Sequence, residues 1–159
     1  MDKSDDTRFT ARAARLVRSM AAALLLCMAS APLGAQTWKT AAPVPQGAEE
    51  VYGIAAGGKL YVFGGLALAW KPIGMVMEYD PATDRWTRKR DMPAYHHHFA
   101  LAELNGRIYM FGGYQLPATG KPTWVPVDNA WEYDPQADTW RALAPLPSAR
   151  GSANALTVN

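Results

Sequence analysis

Cysteine is nearly missing from this chain: Cys27 is the only one in 159 residues, and it lies in the first 35. If those residues are removed, what remains has no thiol, which excludes disulfides and Cys-based metal sites. An excess of charge of one sign is missing too. From Gln36 onward there are 11 basic and 11 acidic residues, and a neutral domain gives no electrostatic case for nucleic acid or an anionic membrane surface. Sustained 3.6-residue periodicity is absent after residue 36, which excludes an amphipathic helical domain. No phosphate-cradling G-x-x-x-x-G-K or G-x-G-x-x-G occurs, nor a G-x-S-x-G nucleophile turn or an H-E-x-x-H zinc helix.

The first 35 residues predict an export signal. Lys3, Arg8, Arg12, Arg15 and Arg18 make a basic start, Met20 to Ala29 an apolar run, and Leu33-Gly34-Ala35 a cleavage site before Gln36. The apolar run is about half the roughly 20 residues that span a bilayer, so the expectation is removal, no membrane segment in the mature form, and a secreted or periplasmic protein. Cys27 follows Leu26, whereas a lipoprotein signal would want a small residue there.

What is abundant is aromatic and repeated. Trp38, Trp86 and Trp140 are each followed seven residues later by a proline, Pro45, Pro93 and Pro147. Nineteen residues after the first two prolines stand Gly64-Gly65 and Gly112-Gly113, each behind an apolar run, Lys59 to Phe63 and Arg107 to Phe111. Then come Glu78-Tyr79-Asp80-Pro81 and Glu132-Tyr133-Asp134-Pro135. The Trp spacing is 48 and then 54, and the six extra residues fall between the Gly pair and Tyr-Asp-Pro. A period near 50 predicts stacked supersecondary units. Each copy parses into four strands. Strand a runs over 49–56 and 97–104; Gly57-Gly58 and Asn105-Gly106 make two-residue hairpins, since these residues tolerate the positive φ required there. Strand b is the apolar run, strand c ends at Tyr-Asp-Pro, an Asp-Pro turn follows, and strand d starts at the Trp. Both alternating sets in strand b are apolar, as in a sheet buried on two faces.

The Gly pair, the Tyr 14 or 20 residues later and the Trp seven residues beyond it resemble the kelch repeat, over essentially all of residues 36–159. The resemblance implies an all-β fold, a kelch-type β-propeller fragment of two complete four-stranded blades and a partial third. The expected layout is a signal peptide at 1–35, strand d of an otherwise absent blade at 36–45, blades at 46–93 and 94–147, and the start of a third at 148–159. Closed propellers take about 4 to 8 blades, so two leave apolar faces open; the expectation is a truncated product, the alternative a ring assembled from several chains.

In kelch proteins the segment entering strand a lies at the mouth of the central channel and the b–c loops rise around it. Carried onto this chain, the resemblance makes Glu49, Glu50, His97, His98 and Arg150 candidate ligand contacts, with Trp70, Tyr114 and Trp124 in the b–c loops as aromatics for stacking on sugar rings. The expected role is a non-catalytic module for an unidentified protein or carbohydrate, without a cofactor. A carbohydrate-processing enzyme is the alternative. Pro147-Ser148-Ala149-Arg150-Gly151 departs from the Pro-Arg-Asp segment of sialic-acid-epimerising kelch proteins in the register of Arg and in lacking Asp. A galactose-oxidase-like copper cofactor needs a Cys-linked Tyr, which the mature chain cannot supply. His96-His97-His98 offers imidazoles to a metal, but strand alternation points neighbours to opposite faces, so at most His96 and His98 can share a site, with a third ligand from another blade; the expectation is hydrogen-bonded imidazoles at a polar channel mouth and no metal.

Overall fold

The computed structural model describes residues 37–119 and 123–158. The proposed signal peptide lies outside the described residues. The chain divides into Met1–Thr40 and Ala41–Asn159. Of the first unit, only 37–40 are described, without strand or turn.

The second unit holds two four-stranded antiparallel sheets of identical plan. The first is formed by β1 (Tyr52–Ala56), β2 (Lys59–Phe63), β5 (Val76–Asp80) and β6 (Arg85–Arg88), in the order β1-β2-β5-β6. Its b–c excursion carries the short pair β3 (Leu66–Ala67) and β4 (Lys71–Pro72), joined through a 3-10 turn at Leu68–Trp70. The second sheet is β7 (Ala100–Leu104), β8 (Arg107–Phe111), β11 (Ala130–Asp134) and β12 (Thr139–Ala142), with β9 (Tyr114–Gln115) and β10 (Val125–Pro126) in its longer loop. This is the meander of a propeller blade, repeated.

The turns form as their residues dictate. Gly57 and Gly58 have φ of 56° and 76°, and Asn105 and Gly106 have 52° and 78°, the paired left-handed positions of a type I′ hairpin. In the c–d turns the Asp80 carboxylate accepts from Ala82 N–H at 2.9 Å, and Asp134 accepts from Gln136 N–H at 2.9 Å. Tyr79 stands opposite Trp86 and Tyr133 opposite Trp140 across the c–d ladder, with ring centroids 4.9 and 4.8 Å apart.

The core lies between the two sheets. Tyr61, Phe63 and Val76 from the first meet Phe99, Ile108, Met110 and Tyr133 from the second; Phe63 packs edge-on against Tyr133 and Trp140, both at 5.9 Å. On the other face of the first sheet, Val62 joins Met75 and Met77. Strand β2 is therefore buried on both faces as its composition implied, except at Leu60, which sits beside the hairpin and is 37% exposed. The two sheets are also tied at their rims. Arg90 N–H donates to Asp138 Oδ1 at 2.9 Å and Trp140 Nε1–H donates to Arg90 O at 3.3 Å. The same pair of bonds recurs one repeat earlier: Ala42 N–H to Asp84 Oδ1 and Trp86 Nε1–H to Ala42 O, both at 2.8 Å.

Two expected strands are not formed. Residues 38–45 carry no strand, because no described strand precedes them to act as their strand c; Ala42 spends its backbone on Asp84 and Trp86 instead. Residues 148–158 carry none either, having no b partner after them in the described chain. They still follow the second sheet: Ser152 N–H donates to His98 O at 2.8 Å, and the Thr157 hydroxyl donates to Glu103 O.

Candidate functional site

The segments leading into β1 and β7 are held by the loop that follows the Gly pair. Glu49 and Leu66 exchange two backbone hydrogen bonds, 2.9 and 2.8 Å, and His97 and Tyr114 do the same at 3.1 and 2.8 Å. The Gly pair permits this approach. Gly113 has φ 107°, and a Cβ there would stand 2.8 Å from His97 O; Gly112, at φ 62°, would drive its Cβ into Arg150 O of the next copy. Immediately after each bridging residue the chain turns left-handed, with φ 53° at Glu50 and 55° at His98, and the equivalent Ser152 of the third copy has φ 54°. Left-handed non-glycine residues are uncommon and mark constrained backbone.

That turn overrides strand alternation and corrects the expected pairing of imidazoles. His96 and His98 do not share a site; His97 and His98 do, because the left-handed step at His98 brings its ring round to its neighbour's. Their Nδ1 atoms are 2.7 Å apart, and Glu50 Oε2 lies 3.0 Å from the first and 3.3 Å from the second. His97 is 2% exposed, whereas Glu50 and His98 keep about a third of their side chains in solvent, 34% and 36%. Desolvation lowers the pKa of His97, against the opposing pull of Glu50, so its ring favours the neutral form. His96 is buried elsewhere, with neither ring nitrogen within hydrogen-bonding geometry of a partner among the described residues, and desolvation lowers its pKa too.

The cluster borders a groove. The Trp124 ring meets His97 at 4.0 Å, and Tyr114 lies 5.9 Å from His97 and 6.0 Å from His98. Trp124 then forms one wall of a cavity of about 540 Å³, whose other lining residues are Ala69, Trp70, Leu116 and Thr123. Both b–c loops contribute, so the groove runs between the two repeats. Trp70 is 61% exposed and sits on backbone that is itself left-handed, φ 59°, after Ala69 at 61°.

Of the residues expected at the channel mouth, Glu50, His97, His98, Trp70, Tyr114 and Trp124 are thus brought into one contiguous surface. Glu49 is not: its role is the backbone bridge to Leu66. Arg150 is not either, since its guanidinium folds back onto Ser148 O and Oγ while its carbonyl accepts from Gly113 N–H at 2.8 Å. The sequence reading missed Tyr52, whose ring lies 6.1 Å from His98 and 4.6 Å from Phe99; it placed ligand contacts in the b–c loop over 114–127 without singling out Leu116 and Thr123, which line the groove. Tyr52 was findable: it stands two residues after Glu50 at the start of β1. Within that loop Leu116 and Thr123 carried no signal of their own, because irregular loop backbone has no period to read.

The kelch-motif family model matches residues 54–93 and 96–147, the two repeats just described, and the chain belongs to the kelch-repeat family. It is 33% identical over 107 residues to Kelch-like protein terF of Aspergillus terreus, covering 64% of this chain and 23% of that protein. It is 29% identical over 112 residues to mouse Kelch-like protein 35, covering 70% and 17%. Human Kelch repeat and BTB domain-containing protein 12 is 28% identical over 124 residues, covering 70% and 19%. The chain therefore spans less than a quarter of the length of these relatives. Among solved structures, that of YjhT superposes with a TM-score of 0.63 at 19% identity, over 73% of this chain and 43% of that one, a likeness of fold.

Proposed function

We propose that this chain is an exported, non-catalytic binding module that takes a protein segment or a carbohydrate in the groove between its two b–c loops. The observation that carries the reading is the continuity of the aromatic groove of Trp70, Leu116 and Trp124 with the ionisable cluster of Glu50, His97 and His98. Flat apolar walls beside a few convergent polar groups are what a specific ligand site needs: the rings supply desolvated area, the polar groups fix orientation. The curated kelch relatives support a binding role by family analogy alone. Export is supported by the basic and apolar character of residues 1–35 and the Ala35–Gln36 junction.

The test is a glycan array and a displayed-peptide screen on the purified chain, followed by affinity measurements on variants. Trp70→Ala is expected to weaken binding about tenfold or more, the order of one well-used aromatic contact. Arg88→Ala, on outer strand β6 and paired with Asp91 at 2.5 Å, is expected to change nothing. Binding that survives Trp70→Ala and Trp124→Ala together but fails in Arg88→Ala overturns the groove assignment. Hits confined to one screen decide between peptide and glycan.

A further inference from the structure

We propose that Glu50, His97 and His98, the polar cluster bordering the groove, form a binding site for a borderline divalent metal ion of the zinc type. Three potential ligand atoms, Glu50 Oε2 and the two Nδ1 atoms, all lie within 4.8 Å of one another. Their separations are 3.0, 2.7 and 3.3 Å. Around an ion with ligand bonds of about 2.0–2.1 Å, tetrahedral ligands stand roughly 3.3 Å apart. Two of the three separations fit within a few tenths of an ångström, and the third opens by a small rotation of the half-exposed His98 ring.

Hydrogen bonding alone serves this arrangement badly. The His97 Nδ1 atom has one position for a proton, yet it faces an acceptor on each side. A proton directed at Glu50 leaves the His97–His98 contact unbonded, and a second proton on His98 Nδ1, directed at the same oxygen, is crowded against the first by the 2.7 Å between the two nitrogens. A cation at the centre satisfies all three lone pairs at once. The donor set fits as well. Two imidazoles and one carboxylate are the ligands of open zinc sites, which leave a fourth position for water or for an incoming donor. The backbone supports the geometry independently of the side chains, because the left-handed residues Glu50 and His98 occupy the same position in successive repeats, each anchored by the adjacent bridge, Glu49 to Leu66 and His97 to Tyr114. His97 is further fixed by burial against Trp124.

The experiment uses the purified, tag-free, metal-stripped chain and Zn²⁺ alone, read by calorimetric titration, with Co²⁺ replacing Zn²⁺ for visible absorption. One saturable ion per chain is expected, with a rise in melting temperature on adding Zn²⁺. Glu50→Gln is expected to weaken binding at least tenfold and His98→Ala at least a hundredfold, both abolishing the Co²⁺ spectrum. Glu49→Gln, whose side chain takes no part, and Trp70→Ala, in the groove, are expected to bind Zn²⁺ as the parent does. Should His98→Ala fail to fold, Glu50→Gln decides, since that carboxylate is a third exposed. No saturable binding, or binding unchanged in Glu50→Gln, overturns the site. A parent chain that binds Zn²⁺ but no glycan or peptide overturns only the groove reading.

Discussion

The rim latch between the two sheets makes a prediction that separates burial from mere contact. Tyr133 is fully buried, and its hydroxyl donates to Asp138 Oδ1 at 2.7 Å, the same oxygen that receives Arg90 N–H from the neighbouring blade. The equivalent hydroxyl in the first copy, Tyr79, donates to Asp84 Oδ1 at the same 2.7 Å but at an exposed site. Geometry alone calls these bonds equal; solvation does not. Tyr133→Phe removes a charge-assisted bond at a part-buried site, and the carboxylate left behind retains Arg90 N–H, so the cost is about 1.5–2 kcal/mol rather than the full penalty of an orphaned charge. For a unit of this size that is a fall in melting temperature of about 5–10 °C. Tyr79→Phe is expected to cost distinctly less, because water replaces the lost donor. The pH dependence is a second check. Burial opposes ionisation of Asp138, but the Tyr133 hydroxyl and the Arg90 and Lys89 side of the site outweigh it, and its pKa is lowered. A depressed carboxylate contributes stability that is present above its unfolded value near 3.8 and is lost as pH falls through the folded one. The gap between the parent and Tyr133→Phe should therefore be constant near neutrality and shrink below about pH 4. The assay is urea unfolding followed by tryptophan fluorescence, to which Trp140, 4.8 Å from Tyr133, contributes. Equal losses in the two variants, or a gap that widens in acid, refute the reasoning.

Other consequences are simpler. Gly112→Ala combines a left-handed φ of 62° with a Cβ that meets Arg150 O, and should cost about 3 kcal/mol or more, measured by denaturant unfolding; Gly57→Asn, at φ 56° with nothing within 4 Å, should be nearly silent. Phe63→Ala empties the junction with Tyr133 and Trp140 and should cost about 3–5 kcal/mol in the same assay. Intact-mass measurement of exported chain should give a product beginning at Gln36; a mass retaining residues 1–35 sinks the export reading.

The fold was legible because its determinants are local and repeated. Gly57-Gly58, Asn105-Gly106 and the Asp-Pro turns each declare a backbone conformation through residue type, and two copies at matching offsets remove the ambiguity that one leaves. The Gly pairs announced themselves by position, but their cause needed the structure. Gly113 clears its own blade's incoming segment and Gly112 clears the next copy's, as Gly65 and Gly64 do one repeat earlier, so each pair records contacts with the incoming segments of two successive copies.

The site was legible only in part, and the step taken at the histidines is instructive. Alternation is a property of regular strand backbone, and it was applied to His96-His97-His98 as though they stood within a strand. They lie instead at the crossing from β6 to β7, where the chain must change direction to enter the inner strand. One left-handed residue makes that change, and the same φ at Glu50 and Ser152 shows that the crossing is architectural rather than particular to the histidines. What is particular is which side chains the crossings carry. In the first copy the left-handed position holds a carboxylate and in the second an imidazole, so the symmetry of the repeat sets Glu50 beside His98 from 48 positions away, while the buried His97 is added by its own backbone bridge. The third crossing carries Gly151 and Ser152, with no imidazole or carboxylate to contribute. Function in such a fold is written in the differences between repeats at a position that the repeat itself makes equivalent. Those differences become chemistry only when the crossings are superposed by register, with the left-handed turn included.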